Sequence, residues 1–101
     1  MGTLLDQREV YLSVITEMEM LGYPGITDSE IKQIKQFIVD CQVFDISPTI
    51  KERTIELRRK HNLKLPDAII AATAMEHNLP LISADGIFAR IEDINFVHYS
   101  M

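Results

Sequence analysis

Apolar and polar positions along the chain alternate between two periods. Val10-Tyr11-Leu12-Ser13-Val14-Ile15 is apolar and rich in β-formers, which predicts a buried strand. Thr16 follows with Glu19 three residues on, the spacing of a capping box, so a helix is expected straight out of the strand, ending at Gly22-Tyr23-Pro24-Gly25. Thr27-Asp28-Ser29-Glu30 repeats that signal, and Ile31, Ile34, Ile38 and Cys41 recur at helical spacing to about Asp40. Gln42 to Ile46 predicts a second strand. Ser47-Pro48 opens a third helix, with Ile50, Thr54, Leu57 and His61 along one face. From Pro66 to about His77 the chain is Ala-rich and apolar all round, the mark of a buried helix. Asn78-Leu79-Pro80 stops it, and Leu81 to Ala84 reads as a short buried strand ending at the Asp85-Gly86 turn. Phe88 and Ile91 suit a helical turn, and Asn95 to Tyr99 a last strand at an edge. Residues 1–8 have no periodicity and are expected to be irregular.

Strands alternate with helices throughout, which predicts a single α/β domain over residues 1–101, a layered sandwich on a mostly parallel sheet. In such sheets ligands gather outside the carboxyl ends of the strands, where Thr16, Glu19 and Asp85 follow. Asp67, in the first turn of the buried helix, is the other acid flanking that apolar unit. Each acid also has a plain structural use. The helix dipole favours Asp67, a capping box would use Glu19, and Asp85 suits an Asp-Gly turn. Gathered at one sheet edge they would repel, and a cation or a raised pKa would relieve them. Carboxylates without cysteine or histidine form a hard oxygen set suited to Mg2+ or Mn2+ and poor for zinc. His61, His77 and His98 are scattered without metal spacing. No Gly-rich phosphate loop, Gly-x-Ser-x-Gly elbow or dinucleotide fingerprint occurs, which sets aside kinase, serine-hydrolase and nicotinamide chemistry.

Charge refines this picture. The net charge is −5, unfavourable for unaided nonspecific binding of nucleic acid, but residues 51–64 carry +4 and the remainder −9. Lys51, Arg53, Arg58, Arg59, Lys60 and Lys64 form either a solvated helix face or a phosphate-binding strip. No apolar run is long enough to span a bilayer and no signal-peptide pattern opens the chain, so a cytoplasmic location without membrane contact is expected. The single cysteine, Cys41, reads as a small core residue.

Leu65-Pro66-Asp67-Ala68-Ile69-Ile70-Ala71-Ala72-Thr73-Ala74, then Asn78-Leu79-Pro80-Leu81-Ile82-Ser83-Ala84-Asp85 and Phe88, closely resembles the second half of PIN domains of the VapC toxin type. Leu12 to Leu21 is similar to that family's second strand and the helix carrying its Thr-x-x-Glu, and the likeness covers about residues 9–99. The resemblance implies a Rossmann-like three-layer sandwich and an endoribonuclease in which acids hold Mg2+ or Mn2+ for hydrolysis of RNA phosphodiesters. By position Glu19, Asp67 and Asp85 match catalytic, metal-binding acids, Ser83 matches the family's small hydroxyl residue, and Thr16 would support Glu19. Arg58, Arg59, Lys60, Lys64 and Arg90 are candidates for contact with RNA or a partner. A VapB-like antitoxin is the implied protein partner.

One family feature is not found. The first hydrophobic strand, ending in Asp-Thr-Asn, is missing. Leu4-Leu5-Asp6 imitates its end, but three residues separate Asp6 from Val10, and a parallel crossover needs about a dozen. An N-terminally truncated PIN domain is therefore expected, with weakened metal binding and with strand edges that favour a homodimer or strand-swapped homo-oligomer. The alternative function is a non-catalytic PIN domain acting in dimerisation or antitoxin binding. An acidic phosphatase-like or phospho-acceptor domain fits less well, for want of a nucleophilic Asp motif.

Overall fold

The computed structural model describes residues 10–83, 86–92 and 94–98, in two compact units that divide between Asp45 and Ile46. In the first unit, β1 (Tyr11–Ser13) lies parallel to β2 (Gln42–Phe44), with Leu12 opposite Val43. Helices α1 (Val14–Leu21) and α2 (Asp28–Val39) make the connection between these strands, the arrangement a parallel pair requires. Tyr11 stacks on Phe44 with ring centroids 5.7 Å apart, a diagonal cross-strand contact.

The strand expected from Val10 to Ile15 stops at Ser13, and the helix begins one residue later. Ser13 is extended and its Oγ accepts the Ile15 N–H at 3.1 Å, so Ser13, rather than Thr16, caps α1. Three β-branched residues, Val14, Ile15 and Thr16, are thus helical. A local cap and half-buried packing override their β preference. At the other end, the Gly22 N–H donates to Met18 O at 2.8 Å, and a Cβ at Gly22 would sit 2.7 Å from that oxygen. Tyr23-Pro24-Gly25-Ile26 then turns the chain, with Gly25 at φ +86° and the Ile26 N–H donating to Tyr23 O, as a type II turn demands.

The second capping box forms as expected. Thr27 Oγ1 accepts the Glu30 N–H at 3.1 Å, and Glu30 Oε1 accepts the Thr27 N–H at 2.9 Å. The Thr27 backbone and side-chain hydrogen bonds hold the Glu30 carboxyl below the usual glutamate range.

In the second unit, α3 (Pro48–His61) and α4 (Leu65–Glu76) form a helical hairpin through residues 62–64. Ser47 Oγ accepts the Ile50 N–H at 3.1 Å, with Pro48 opening α3 where its missing N–H costs nothing. Ile50, Thr54 and Leu57 are buried along α3, and Ala68, Ile69 and Ala71 to Ala74 along α4. Thr54 and Thr73 bury their hydroxyls by donating to the carbonyls of Ile50 and Ile69, both at 2.7 Å. Leu63, Phe88, Ile91 and Ile94 complete one apolar core.

Helix α4 ends in a Schellman arrangement. Asn78 is left-handed at φ 52°, its N–H donates to Met75 O, and the Leu79 N–H donates to Ala74 O. β3 (Leu81–Ser83) then pairs in parallel with β4 (Phe96–His98), with a 3-10 turn (Gly86–Arg90) between them. The described strands therefore form two parallel pairs, where the sequence predicts one mostly parallel sheet. β3 was expected to be buried, yet Ile82 is 53% exposed and its register partner Val97 is 44% exposed. Alternation explains this: Leu81 and Phe96 turn to the core, which sends their neighbours outward. Cys41 is half-buried rather than part of the core.

The Glu30 carboxyl gives a pH dependence of fixed sign. Because its folded pKa lies below its unfolded one, the stability it lends α2 is complete above the ordinary glutamate range and is lost as pH falls through the lowered value. Side-chain NMR titration should show a Glu30 midpoint below that of an exposed glutamate, and Thr27→Ala, which removes the hydroxyl but keeps the backbone N–H, should raise it only part of the way back.

Candidate functional site

Asp67 occupies the third position of α4, after Leu65 and Pro66. The residue before the helix, Lys64, provides no side-chain cap, and Pro66 has no N–H to satisfy. The Ala68 N–H donates to Lys64 O at 2.9 Å and closes the first turn around Asp67. Asp67 is half-buried beside the fully buried Ala68. Its carboxylate forms no hydrogen bond or ion pair with another described residue, and its place in the first turn lets the helix dipole favour it.

Glu19 is the sixth residue of α1 in the first unit and is exposed. With Ser13 as the cap, the capping-box explanation for Glu19 falls away, and its carboxylate also lacks a described partner. Thr16, three residues earlier, lies along the same side of α1 and is half-buried. Ser83 ends β3, half-buried. Asp85 lies outside the described residues, as do Asp6 and the Leu4-Leu5 pair before it. Among the described residues, no three His, Cys, Asp or Glu side chains are grouped to hold a metal ion. Glu19 and Asp67 nevertheless fit Mg2+ or Mn2+ as donors, since both offer carboxylate oxygens that have no partner among the described residues.

The basic residues divide into two sets. Arg58 donates from Nε to Leu63 O at 3.3 Å, and Arg90 donates from Nη2 to His61 O at 2.7 Å. Arg53 pairs with Glu76 at 3.2 Å and ties α3 to α4, a surface pair worth at most about 1 kcal/mol. Lys51, Arg59, Lys60 and Lys64 are exposed. Part of the +4 strip therefore complements the carbonyl end of α3, whose last turn holds Arg58, Arg59, Lys60 and His61. The Arg90 and Arg53 contacts span 29 and 23 residues, separations at which no local sequence signal points to a partner.

Two other features can be set apart from these acids. A cavity of about 150 Å3 in the second unit is lined by Glu56, Lys60, His61 and Glu92 over apolar side chains, and includes none of the expected acids. Burial, then the neighbouring Asp40, pushes the Cys41 thiol up, and its Sγ donates to Phe37 O, so it is a poor nucleophile at neutral pH.

Comparison with known proteins decides the family. The PIN domain family profile matches residues 2–94, across both units. The chain belongs to the PIN domain family. A toxin-antitoxin complex from Klebsiella pneumoniae is 37% identical at a TM-score of 0.75, covering 88% of this chain and 73% of that one. VapBC2 from Rickettsia felis, bound to a DNA fragment from the promoter, matches at a TM-score of 0.78 and 18% identity, over 89% of this chain and 74% of that one. VapBC-5 from Mycobacterium tuberculosis matches at 0.63 and 18%, over 84% and 76%. The last two likenesses concern the fold alone. No curated protein matches significantly. This PIN domain is an α/β structure with parallel strand pairs.

The register of α1 can be tested directly. Ser13→Ala should cost about 1 kcal/mol in urea unfolding through loss of the cap, whereas Thr16→Ala should leave the cap intact and cost less.

Proposed function

We propose that this chain is the toxin of a VapBC-type pair and acts as a metal-dependent endoribonuclease on RNA phosphodiesters. The observation that carries this reading is the Asp67 carboxylate, placed in the first turn of α4 within the stretch that resembles VapC toxins and without a hydrogen-bond or ion-pair partner among the described residues. The 37% identity to a protein of a toxin-antitoxin complex supports the partner assignment. Glu19, Asp67 and Asp85 would hold Mg2+ or Mn2+, with Thr16 and Ser83 in support. When bound, the metal supplies a charge that activates water for in-line attack and stabilises the leaving oxygen.

The chain's own residues have separate tasks. Carboxylates at positions 19, 67 and 85 favour Mg2+ or Mn2+ over zinc and give the site its negative charge. Exposed Arg59, Lys60 and Lys64 offset that charge for an approaching phosphate backbone, in a chain whose overall charge of −5 opposes it. The same cations suit acidic side chains of a VapB-like antitoxin, and a homodimer or strand-swapped oligomer is the expected assembly. Among the described residues no helix is long and apolar enough to cross a membrane, which accords with the proposed cytoplasmic location.

RNA cleavage in Mg2+ or Mn2+ tests this reading. Asp67→Asn should lower the rate by at least about 100-fold, the upper end of what outer-sphere partners of a metal usually give. Chelation should abolish cleavage and added Mn2+ should restore it. A folded parent chain that binds an antitoxin but cleaves nothing in either metal would instead favour the non-catalytic PIN domain.

A further inference from the structure

We propose that Arg58 and Arg90 are positioning residues, which hold the corner between α3 and α4 and thereby set the place of the Asp67 carboxylate. The inference rests on the reading of Asp67 as a metal-binding acid and gives that site its supporting structure. It also assigns the two arginines a task other than contact with RNA.

A helix leaves its last carbonyls without partners inside the helix. At the end of α3, Arg90 Nη2 fills this need at His61 O, 2.7 Å away. Asn62 then turns the chain in the left-handed region at φ 54°, with its N–H on Arg58 O at 3.1 Å. Leu63 buries its side chain to 3% exposure, and its carbonyl accepts from Arg58 Nε. The next carbonyl, Lys64 O, accepts the Ala68 N–H and closes the turn containing Asp67. From His61 to Lys64, three of the four carbonyls are thus held by named donors, two of them guanidinium groups.

Two features make this corner decisive. No side chain caps α4, so the path of residues 61–64 controls where the helix starts. Arg90 lies at the end of the 3-10 turn, five residues after Asp85 in sequence. Its bond to His61 O joins the segment after Asp85 to the corner before Asp67. An arginine is suited to this because its planar donors reach a carbonyl in a fixed geometry and do not lose their charge.

The test is calorimetric Mn2+ binding without RNA, combined with kcat and KM for RNA cleavage and circular dichroism to establish folding. Arg90→Ala should weaken Mn2+ binding by about threefold or more and lower kcat, with KM for RNA unchanged; Arg90→Lys, which keeps one donor, should fall between it and the parent. In an Asp67→Asn background, Arg90→Ala should change Mn2+ binding no further. If Arg90→Ala does not fold, Arg90→Lys decides by the same readouts. Unchanged Mn2+ affinity with a raised KM would overturn the inference and make Arg90 an RNA contact, while Asp67→Asn still loses the metal. If Asp67→Asn binds Mn2+ as the parent does, the reading of Asp67 fails first, and the positioning role with it.

Discussion

The close packing of α3 against α4 is the interaction on which the second unit depends. Ala68, Ala71 and Ala72 are fully buried, and their small side chains let Ile50 and Leu57 of the facing helix reach the core. Burying an isoleucine such as Ile50 contributes about 1.5–3 kcal/mol relative to exposure. Alanine combines high helix propensity with close approach, so one stretch of sequence serves local structure and packing together. That packing also restricts α4 in rotation. With one face committed to alanine contacts, Asp67 takes its position from the turn in which the helix begins.

Much of this was legible because the controlling signals are local. Ser47-Pro48, the Thr27 to Glu30 box and Asn78-Leu79-Pro80 each satisfy backbone groups within a few residues, and all three end or start helices as expected. Thr16 misled because Ser13 offers the same hydroxyl three residues earlier, and an apolar β-branched run does not by itself distinguish strand from helix. The outward face of β3 and β4 was hidden for a related reason: three-residue strands are too short for alternation to separate a half-buried strand from a buried one.

Of the candidate site, residue types were readable and their commitments were not. Nothing near Arg58 or Arg90 in sequence marks them as donors to backbone carbonyls, and both could equally be solvated or bound to phosphate. Conversely, the structure removes the plain structural use of Glu19 in a cap, and it keeps that of Asp67, which stands in the first turn of α4. Glu19 is not part of a cap, and Asp67 makes no internal hydrogen bond or ion pair with a described residue. Carboxylates without partners among the described residues and arginines with them reverse what surface charge alone conveys. Among the described residues the two acids have no partner to give up to an external ion, whereas Arg53, Arg58 and Arg90 are engaged in holding the chain.

The account turns on whether Asp67 meets a divalent ion at the start of α4, and paramagnetic NMR reads this most directly. Substoichiometric Mn2+ added to 15N-labelled protein should broaden the amides of Asp67 and Ala68 first and leave those of the exposed Glu30 capping box sharp. Broadening that follows exposed carboxylates in general, with Asp67 and Ala68 no more affected than Glu30, would contradict it.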